Sequence, residues 1–225
     1  MALCVVSVSF HEGTIGVKEL SMLVLPLFTT FLGATFAFRL NEKKEEDKLL
    51  ISRKEAITRT LFILARQANA VHLMRREYDK RVDPIDRALN MPAINPPNYS
   101  DLTHNFSNLE FLLELEDPSL LLRLAVEQER FQQVIEAIKT RNEFYVNKYQ
   151  PKLAEVGLNN KWSSKEELTK QLGEYIFDGI NNGATEAYSH LQKSDTSIYE
   201  VSQELRQTAL QLFPNAKFIN FTRPT

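Results

Sequence analysis

Residues 121–149, LLRLAVEQERFQQVIEAIKTRNEFYVNKY, carry the longest regular pattern of side-chain spacing in the chain. Spacings of three and four residues alternate over four heptads, through Leu121, Leu124, Gln128, Phe131, Ile135, Ile138, Asn142, Tyr145 and Tyr149. This periodicity predicts a helix that packs along a seam. Gln128 and Asn142 are its polar members. A polar seam residue can fix the register or the oligomeric state, and the alternative is that both lie at the solvent edge of a globular helix.

A second row of the same spacing lies upstream. It runs through Leu50, Ile57, Leu61, Leu64, Ala68, Val71 and Tyr78, with Lys54 and Arg75 interrupting. The charged run from Glu42 to Lys48 has no Gly or Pro and is rich in good helix formers. One long helix is therefore expected to continue to about Arg81, where Asp83 and Pro84 stop it. The predicted packing seam of the two helices consists of Ile57, Leu61, Leu64, Val71, Leu121, Leu124, Phe131, Ile135 and Ile138.

Residues 83–104 separate these two helices and carry four prolines and several asparagines. They predict a long irregular loop. Such a loop is either a partner-binding or gating segment, or a connection that returns along the bundle. A short helix is expected over 105–115, and Asp117 then offers an N-cap, with Pro118 at the first helical position.

The C-terminal third predicts further helices. Ser164 and Glu167 form a capping box at the start of one of them. The sequence INNG at 180–183 is expected to interrupt that helix, and Asp195 is expected to cap a last helix that ends at Pro214. Alternating β-branched runs with hairpin turns are almost absent outside the first ten residues and the tail. The fold class is therefore all-α, an elongated antiparallel bundle of four or five helices.

Residues 20–38, LSMLVLPLFTTFLGATFAF, contain no charged side chain. As a helix they would measure roughly 28 Å, close to the ~30 Å of a bilayer's hydrocarbon core. This favours a single transmembrane helix at 20–40 over a buried helix. A cleaved leader fits poorly, because no basic region precedes the apolar segment.

Basic residues set the expected orientation of this span. Only Lys18 lies close upstream, whereas a basic collar of Arg39, Lys43, Lys44 and Lys48 follows it. The positive-inside rule then places the N-terminus outside and the C-terminal domain in the cytoplasm, the reverse topology being the alternative. Within the span, Thr29, Gly33 and Ala37 line one face with small side chains. That face favours helix self-association, although small residues are common in any span.

The sequence contains no motif that reports a reaction. The four histidines form no close pair, phosphate-binding and nucleophile-elbow motifs are absent, and the single cysteine, Cys4, excludes an internal disulfide. We therefore assign no catalytic, cofactor-binding or metal-binding residue and expect no enzyme. The densest cationic cluster, Arg75, Arg76, Lys80 and Arg81, is a possible anion or partner site, or simply complements the dipole at the end of a helix.

These observations divide the chain into six parts. They are an outer tail at 1–19, the span at 20–40, a helical stalk at 41–82, the loop at 83–104, the bundle at 105–213 and a tail at 214–225. The plan resembles that of many bacterial inner-membrane proteins, a resemblance of architecture only. It carries no basic face with interleaved aromatics of the kind that binds nucleic acid.

Three functions agree with this plan. The first is a membrane-anchored, self-associating scaffold or regulatory subunit that presents its cytoplasmic bundle to a protein partner. The second is a membrane-acting effector or small channel that permeabilises the inner membrane when it oligomerises. The third is a ligand-sensing bundle. The expected partners are membrane lipid, further copies of the chain and an unidentified protein.

Overall fold

The computed structural model describes residues 17–157 and 164–223, without the side chains of 17–21 and 23–25. Within these ranges the chain forms six α-helices and no strand, which confirms the all-α prediction. The helices are α1 (Val17–Asp79), α2 (Pro84–Asn90), α3 (Ser119–Phe144), α4 (Gln150–Val156), α5 (Lys165–Leu172) and α6 (Glu174–Leu212). A 3₁₀ helix spans Phe106–Glu114, and a π-helical turn spans Tyr145–Tyr149.

The chain divides into two compact units, 1–51 and 52–225. The described part of the first unit is the N-terminal portion of α1, whose side chains from 26 to 50 are all exposed. Among the residues with described positions, no helix is long and apolar enough to cross a membrane. The transmembrane helix expected at 20–40 is therefore not supported. Residues 1–16 of the expected outer tail, and the side chains of 20, 21 and 23–25, lie outside the described residues.

The second unit contains three groups of buried apolar side chains. The first core cluster includes Ile57, Leu61, Leu64, Leu109, Leu112, Leu124, Ile198, Val201 and Leu205. The second includes Val71, Tyr78, Met91, Phe131, Ile138 and Leu191. The third includes Leu89, Tyr149, Leu168, Leu172, Phe177 and Ile180. Of the predicted seam residues, Leu121 and Ile135 are half-buried and the other seven are buried. The chain therefore covers both rows itself from Ile57 onward, whereas Leu50 at the start of the upstream row is exposed.

Local capping explains several helix boundaries. The Asp83 carboxylate accepts a hydrogen bond from the backbone N–H of Asp86 at 2.7 Å and so caps the start of α2. The expected irregular loop thus starts with a helix. Ser164 accepts from the backbone N–H of Glu167 at 3.2 Å, as the capping box predicts. At α3 the N-cap is Pro118 and not Asp117 as expected; Asp117 lies one residue earlier and accepts a hydrogen bond from the N–H of Ser119 at 3.1 Å.

Two predictions about the C-terminal helices were wrong. Helix α6 runs without interruption through 180–183, and Asp195 is buried within it rather than at its start. The reason lies in packing, because Gly179 and Gly183 face α3, where the Phe144 ring and the Arg141 stem approach the α6 backbone. Glycine costs only about 1 kcal/mol in a helix interior, which tertiary contacts can offset.

The two glycines give a matched test of this packing. A Cβ on Gly179 would lie 2.2 Å from Cζ of Phe144, so Gly179→Ala is expected to lower the free energy of unfolding by about 1–3 kcal/mol. At Gly183 the nearest atom is 3.5 Å away, and Gly183→Ala is expected to raise it by up to about 1 kcal/mol through helix propensity. Urea unfolding of the full chain, followed by circular dichroism, measures both. Equal shifts of the same sign would contradict the packing argument.

Candidate functional site

A buried carboxylate at the centre of α6 joins three separate parts of the chain. Asp195 is only 1% exposed. Its Oδ2 accepts hydrogen bonds from Nη1 of Arg75 on α1 and, at 2.5 Å, from Nη2 of Arg223 in the C-terminal tail. Charge-assisted hydrogen bonds of this kind are the strong ones, particularly where water is excluded. Asp195 thereby holds α1 and the tail against α6.

The network continues beyond this carboxylate. Nε of Arg75 lies 3.3 Å from Oδ2 of Asp79, and the Tyr188 hydroxyl donates to Asp79 at 2.7 Å. That hydrogen bond, together with burial, raises the pKa of Tyr188. The guanidinium of Arg87 lies 3.7 Å from the centre of the Tyr188 ring, within cation–π range. We call Arg75, Asp79, Tyr188, Asp195 and Arg223 the Asp195 network.

A second buried carboxylate ties α3 to the same part of α6. Glu127 is 1% exposed and accepts hydrogen bonds from the hydroxyls of Ser194 at 3.1 Å and Ser197 at 2.5 Å. Burial raises the pKa of Glu127, while these hydrogen bonds and the Arg130 charge oppose the shift. The arrangement satisfies a buried polar group and so positions two helices.

The polar seam residues bind the backbone of the 83–104 segment. The Gln128 carbonyl accepts hydrogen bonds from Gln67 at 3.1 Å and from the N–H of His104 at 3.3 Å. Asn142 accepts from the N–H of Ile94 at 3.3 Å and donates to its carbonyl. Both side chains therefore pair with a neighbouring segment of the same chain, which neither sequence-based alternative anticipated.

Arg141 clamps the end of α2 from α3. It is 1% exposed, and its guanidinium donates to the carbonyls of Ala88, Met91 and Pro92, the last at 3.0 Å. Carbonyls at a helix C-terminus carry partial negative charge, which suits a cation. Burial lowers the pKa of Arg141. No described carboxylate forms an ion pair with it; its charge is compensated by the carbonyls at and just beyond the end of α2 and by the Tyr145 ring, 4.6 Å from the guanidinium. We call the contact with the three carbonyls the Arg141 clamp.

At the C-terminal end of the 83–104 segment, the His104 side chain is a buried, neutral imidazole. Burial lowers the pKa of His104 to about 4, and neither ring nitrogen has a hydrogen-bond partner among the described residues. Its ring packs edge-on against Phe106 at 5.9 Å. The segment thus lies against the bundle along its length, which favours a structural connection over a free gating loop.

A groove of about 570 Å³ lies between this segment and α3. Its walls include Pro96, Pro97, Tyr99, Phe131, Ile135 and Lys139. Its volume is within the range of small-molecule pockets.

Within the described ranges, no group of three or more His, Cys, Asp or Glu residues could hold a metal ion.

The first unit presents an exposed apolar helical surface. Its large members are Leu27, Phe28, Phe31, Leu32, Phe36, Phe38 and Leu40, between 39% and 71% exposed. The hydroxyls of Thr29 and Thr30 donate to the Pro26 carbonyl at 3.0 and 2.7 Å, and Thr35 donates to Phe31 at 2.8 Å. We call residues 26–40 the apolar segment.

The predicted site residues of the first unit all lie on exposed helix. Thr29 and Ala37 are exposed, and a Cβ placed on Gly33 would meet no described atom within 4 Å apart from its chain neighbours and the nearby backbone of its own helix. The collar residues Arg39, Lys43, Lys44 and Lys48 are exposed, and Lys48 pairs with Glu45 at 2.7 Å.

Carboxylates accompany three members of the predicted cationic cluster. Arg75 belongs to the Asp195 network, Lys80 pairs with Glu77 at 2.5 Å, and Nε of Arg81 lies 3.9 Å from Asp86. Arg76 is exposed. These pairs compensate much of the charge that an anion would need.

The sequence-based predictions did not identify the central residues of the Asp195 network and the Arg141 clamp. Asp195 was predicted to be a helix cap, and Arg141 and Arg223 fell outside every periodic row. A weak signal existed for Asp195, since Ile198, Val201 and Leu205 continue the apolar face of α6 beyond it.

Comparisons with known proteins found no relative of this chain. No protein-family model matches it, and neither a curated protein nor a solved structure shows significant similarity. Function therefore has to be argued from the residues themselves.

Proposed function

We propose that this chain is a non-enzymatic, single-pass membrane-anchored protein that self-associates and presents a cytoplasmic helical domain to a protein partner. The observation that carries the proposal is the apolar segment. Seven large apolar side chains are exposed over fourteen residues of one helix, from Leu27 to Leu40. Contiguous exposed apolar surface of this kind marks a site that lipid or another protein covers.

The polar groups of the apolar segment favour lipid as the cover. The hydroxyls of Thr29, Thr30 and Thr35 all donate to carbonyls of their own helix, so none requires water. Pro26 lacks an N–H and is tolerated in membrane helices. The uncharged run extends upstream to Leu20, which supplies the length of a span.

The charges around the apolar segment favour one orientation. The exposed collar begins with Arg39 near the end of this segment and continues with Lys43, Lys44 and Lys48 beyond it, and such residues stay on the cytoplasmic side. The proposed site of action is the bacterial inner membrane, with the N-terminus outside. The small-residue face of Thr29, Gly33 and Ala37 is then available for contact between two spans.

Charge placed in the apolar segment is expected to remove the chain from the membrane. A lysine at the centre of a span costs about 2.5–3.5 kcal/mol, so Phe28→Lys with Phe31→Lys costs about 5–7 kcal/mol. The wild-type chain should sediment with membranes, resist alkaline carbonate and dissolve in detergent. The double variant should become extractable by carbonate or be degraded. Immunoblots of cell fractions measure both.

A matched control adds the same charge elsewhere. Gln192 and Gln211 are exposed on α6, and Gln192→Lys with Gln211→Lys should fractionate as the wild type does. Release of the wild-type chain by carbonate would refute the anchor. Depolarisation of cells by the wild-type chain, but not by the Phe28 and Phe31 variant, would instead favour the effector function.

A further inference from the structure

The C-terminal tail folds back along α6 as an extended segment. Helix α6 ends at Leu212, Pro214 follows, and the N–H of Ala216 donates to the Phe213 carbonyl at 2.9 Å in the reversing turn. The segment then runs in the opposite direction to α6, because Phe221 packs on Tyr199 at 5.5 Å and Arg223 reaches Asp195. We call residues 213–223 the strap.

Side chains, rather than regular backbone pairing, hold the strap in place. Phe218, Ile219 and Phe221 pack partly buried against the first core cluster. The Gln203 amide donates to the Phe221 carbonyl at 3.2 Å and lies 3.4 Å from Oδ1 of Asn220. Lys217, Asn220 and Thr222 are exposed. The strap therefore has the form of a bound peptide with apolar anchors and one cationic end.

The groove beneath the strap is selective for this chemistry. Asp195 is fully buried beneath it and shares one carboxylate oxygen between Arg75 and Arg223. An occupant that brings a guanidinium to this point gives Asp195 a second cationic partner, and one with aromatic side chains packs on Tyr199 and the core. The segment FPNAKFINFTR at 213–223 meets these requirements in every copy of the chain.

We propose that this groove also accepts the strap of a second copy, so that two chains pair by exchanging their C-terminal segments. The exchanged and the closed forms make the same contacts along α6 and differ only in the turn at 213–216. Exchange of an identical element is a low-cost route to a dimer for this reason. The inference goes beyond the proposed function and rests on it only for the local concentration that a shared membrane supplies.

Peptide binding to the full chain in mild detergent tests the groove directly. The probe is a fluorescein-labelled peptide of residues 213–223, and the chain carries Phe221→Ser and Arg223→Glu to weaken its own strap. The peptide should bind this variant at least tenfold more tightly than the wild type, because a tethered strap competes at roughly millimolar effective concentration. A peptide with the same two substitutions should not bind. Equal binding of the two peptides, or no saturable binding, would overturn the proposal.

Energy transfer between two full chains tests exchange without weakening the strap. One chain carries a donor at Thr222→Cys and the other an acceptor at Lys193→Cys, both in a Cys4→Ser background, since both positions are exposed near the Asp195 end of the groove. Mixing should produce transfer that Phe221→Ser and Arg223→Glu in both chains abolish. Transfer that persists would show pairing through another surface, which overturns exchange but not the proposed function. Absence of transfer with intact straps would overturn exchange as well.

Discussion

Replacing Arg75 by methionine is expected to lower the free energy of unfolding by about 3–5 kcal/mol. The substitution leaves the fully buried Asp195 carboxylate with the Arg223 guanidinium alone, whose side chain is 47% exposed. A buried charge that loses its main partner keeps its desolvation cost without the compensating attraction. Urea unfolding of the full chain in mild detergent measures the loss.

A second substitution shows whether the unpaired charge causes that loss. Asp195→Asn in the Arg75→Met background removes the anion, and it should restore at least half of the lost free energy, since removing both partners is often close to neutral. Arg76→Met is the matched control, because Arg76 is the exposed neighbour of Arg75, and it should cost under about 0.5 kcal/mol. A double variant less stable than Arg75→Met alone would contradict this account of the Asp195 network.

Loss of the Arg141 clamp is expected to cost about 3 kcal/mol and to loosen one defined segment. Arg141→Met removes charge-assisted hydrogen bonds to the carbonyls of Ala88, Met91 and Pro92, which lie in a largely buried site. Hydrogen bonds to charged groups contribute about 1.5–3 kcal/mol each, and the cost of burying the guanidinium offsets part of that sum. Amide hydrogen exchange of residues 84–94, read by mass spectrometry, should accelerate more than that of α3.

The geometry of the guanidinium fork provides the conservative comparison. Arg141→Lys keeps the charge but cannot direct planar donors at several carbonyls together, so it should recover less than half of the loss. Lys139→Met, an exposed position on the same helix, should change neither stability nor exchange. A uniform loss of protection across the chain, with 84–94 no faster than the rest, would argue that Arg141 has no local role.

The sequence-based predictions agree with the structure where they depend on residues close together in the sequence. They fail where contacts between distant segments decide the outcome. The long upstream helix was expected to end near Arg81 and ends at Asp79, because Asp83 and Pro84 act on their immediate neighbours. The capping box at Ser164 has the same local cause. By contrast, the break expected at 180–183 does not exist, since α3 packs against the glycines of α6 and stabilises helical backbone that its own sequence favours only weakly.

For the polar residues as well, the sequence identified unusual positions, but only the structure identified their partners. Gln128 and Asn142 stand out in the heptad row, so sequence alone marked them as unusual. Their partners, at His104 and Ile94, belong to a segment whose path no periodicity describes. The hypothesis that the cationic cluster binds an anion also did not take Asp195 into account. Asp195 lies 120 residues from Arg75 in the sequence and accepts a hydrogen bond from it.

The sequence by itself determined the helical class, the main helix of the upstream half, the cap at Ser164 and the position of the uncharged apolar run. Those features depend on spacing and on neighbours a few residues apart, which any single chain displays. Only the tertiary structure decided that the predicted packing seam is covered within one chain, that α6 is continuous, and that Asp195 joins α1, α6 and the strap. The physical reason is that a buried charge persists only where distant segments bring its partners to it, and those contacts form when the chain packs.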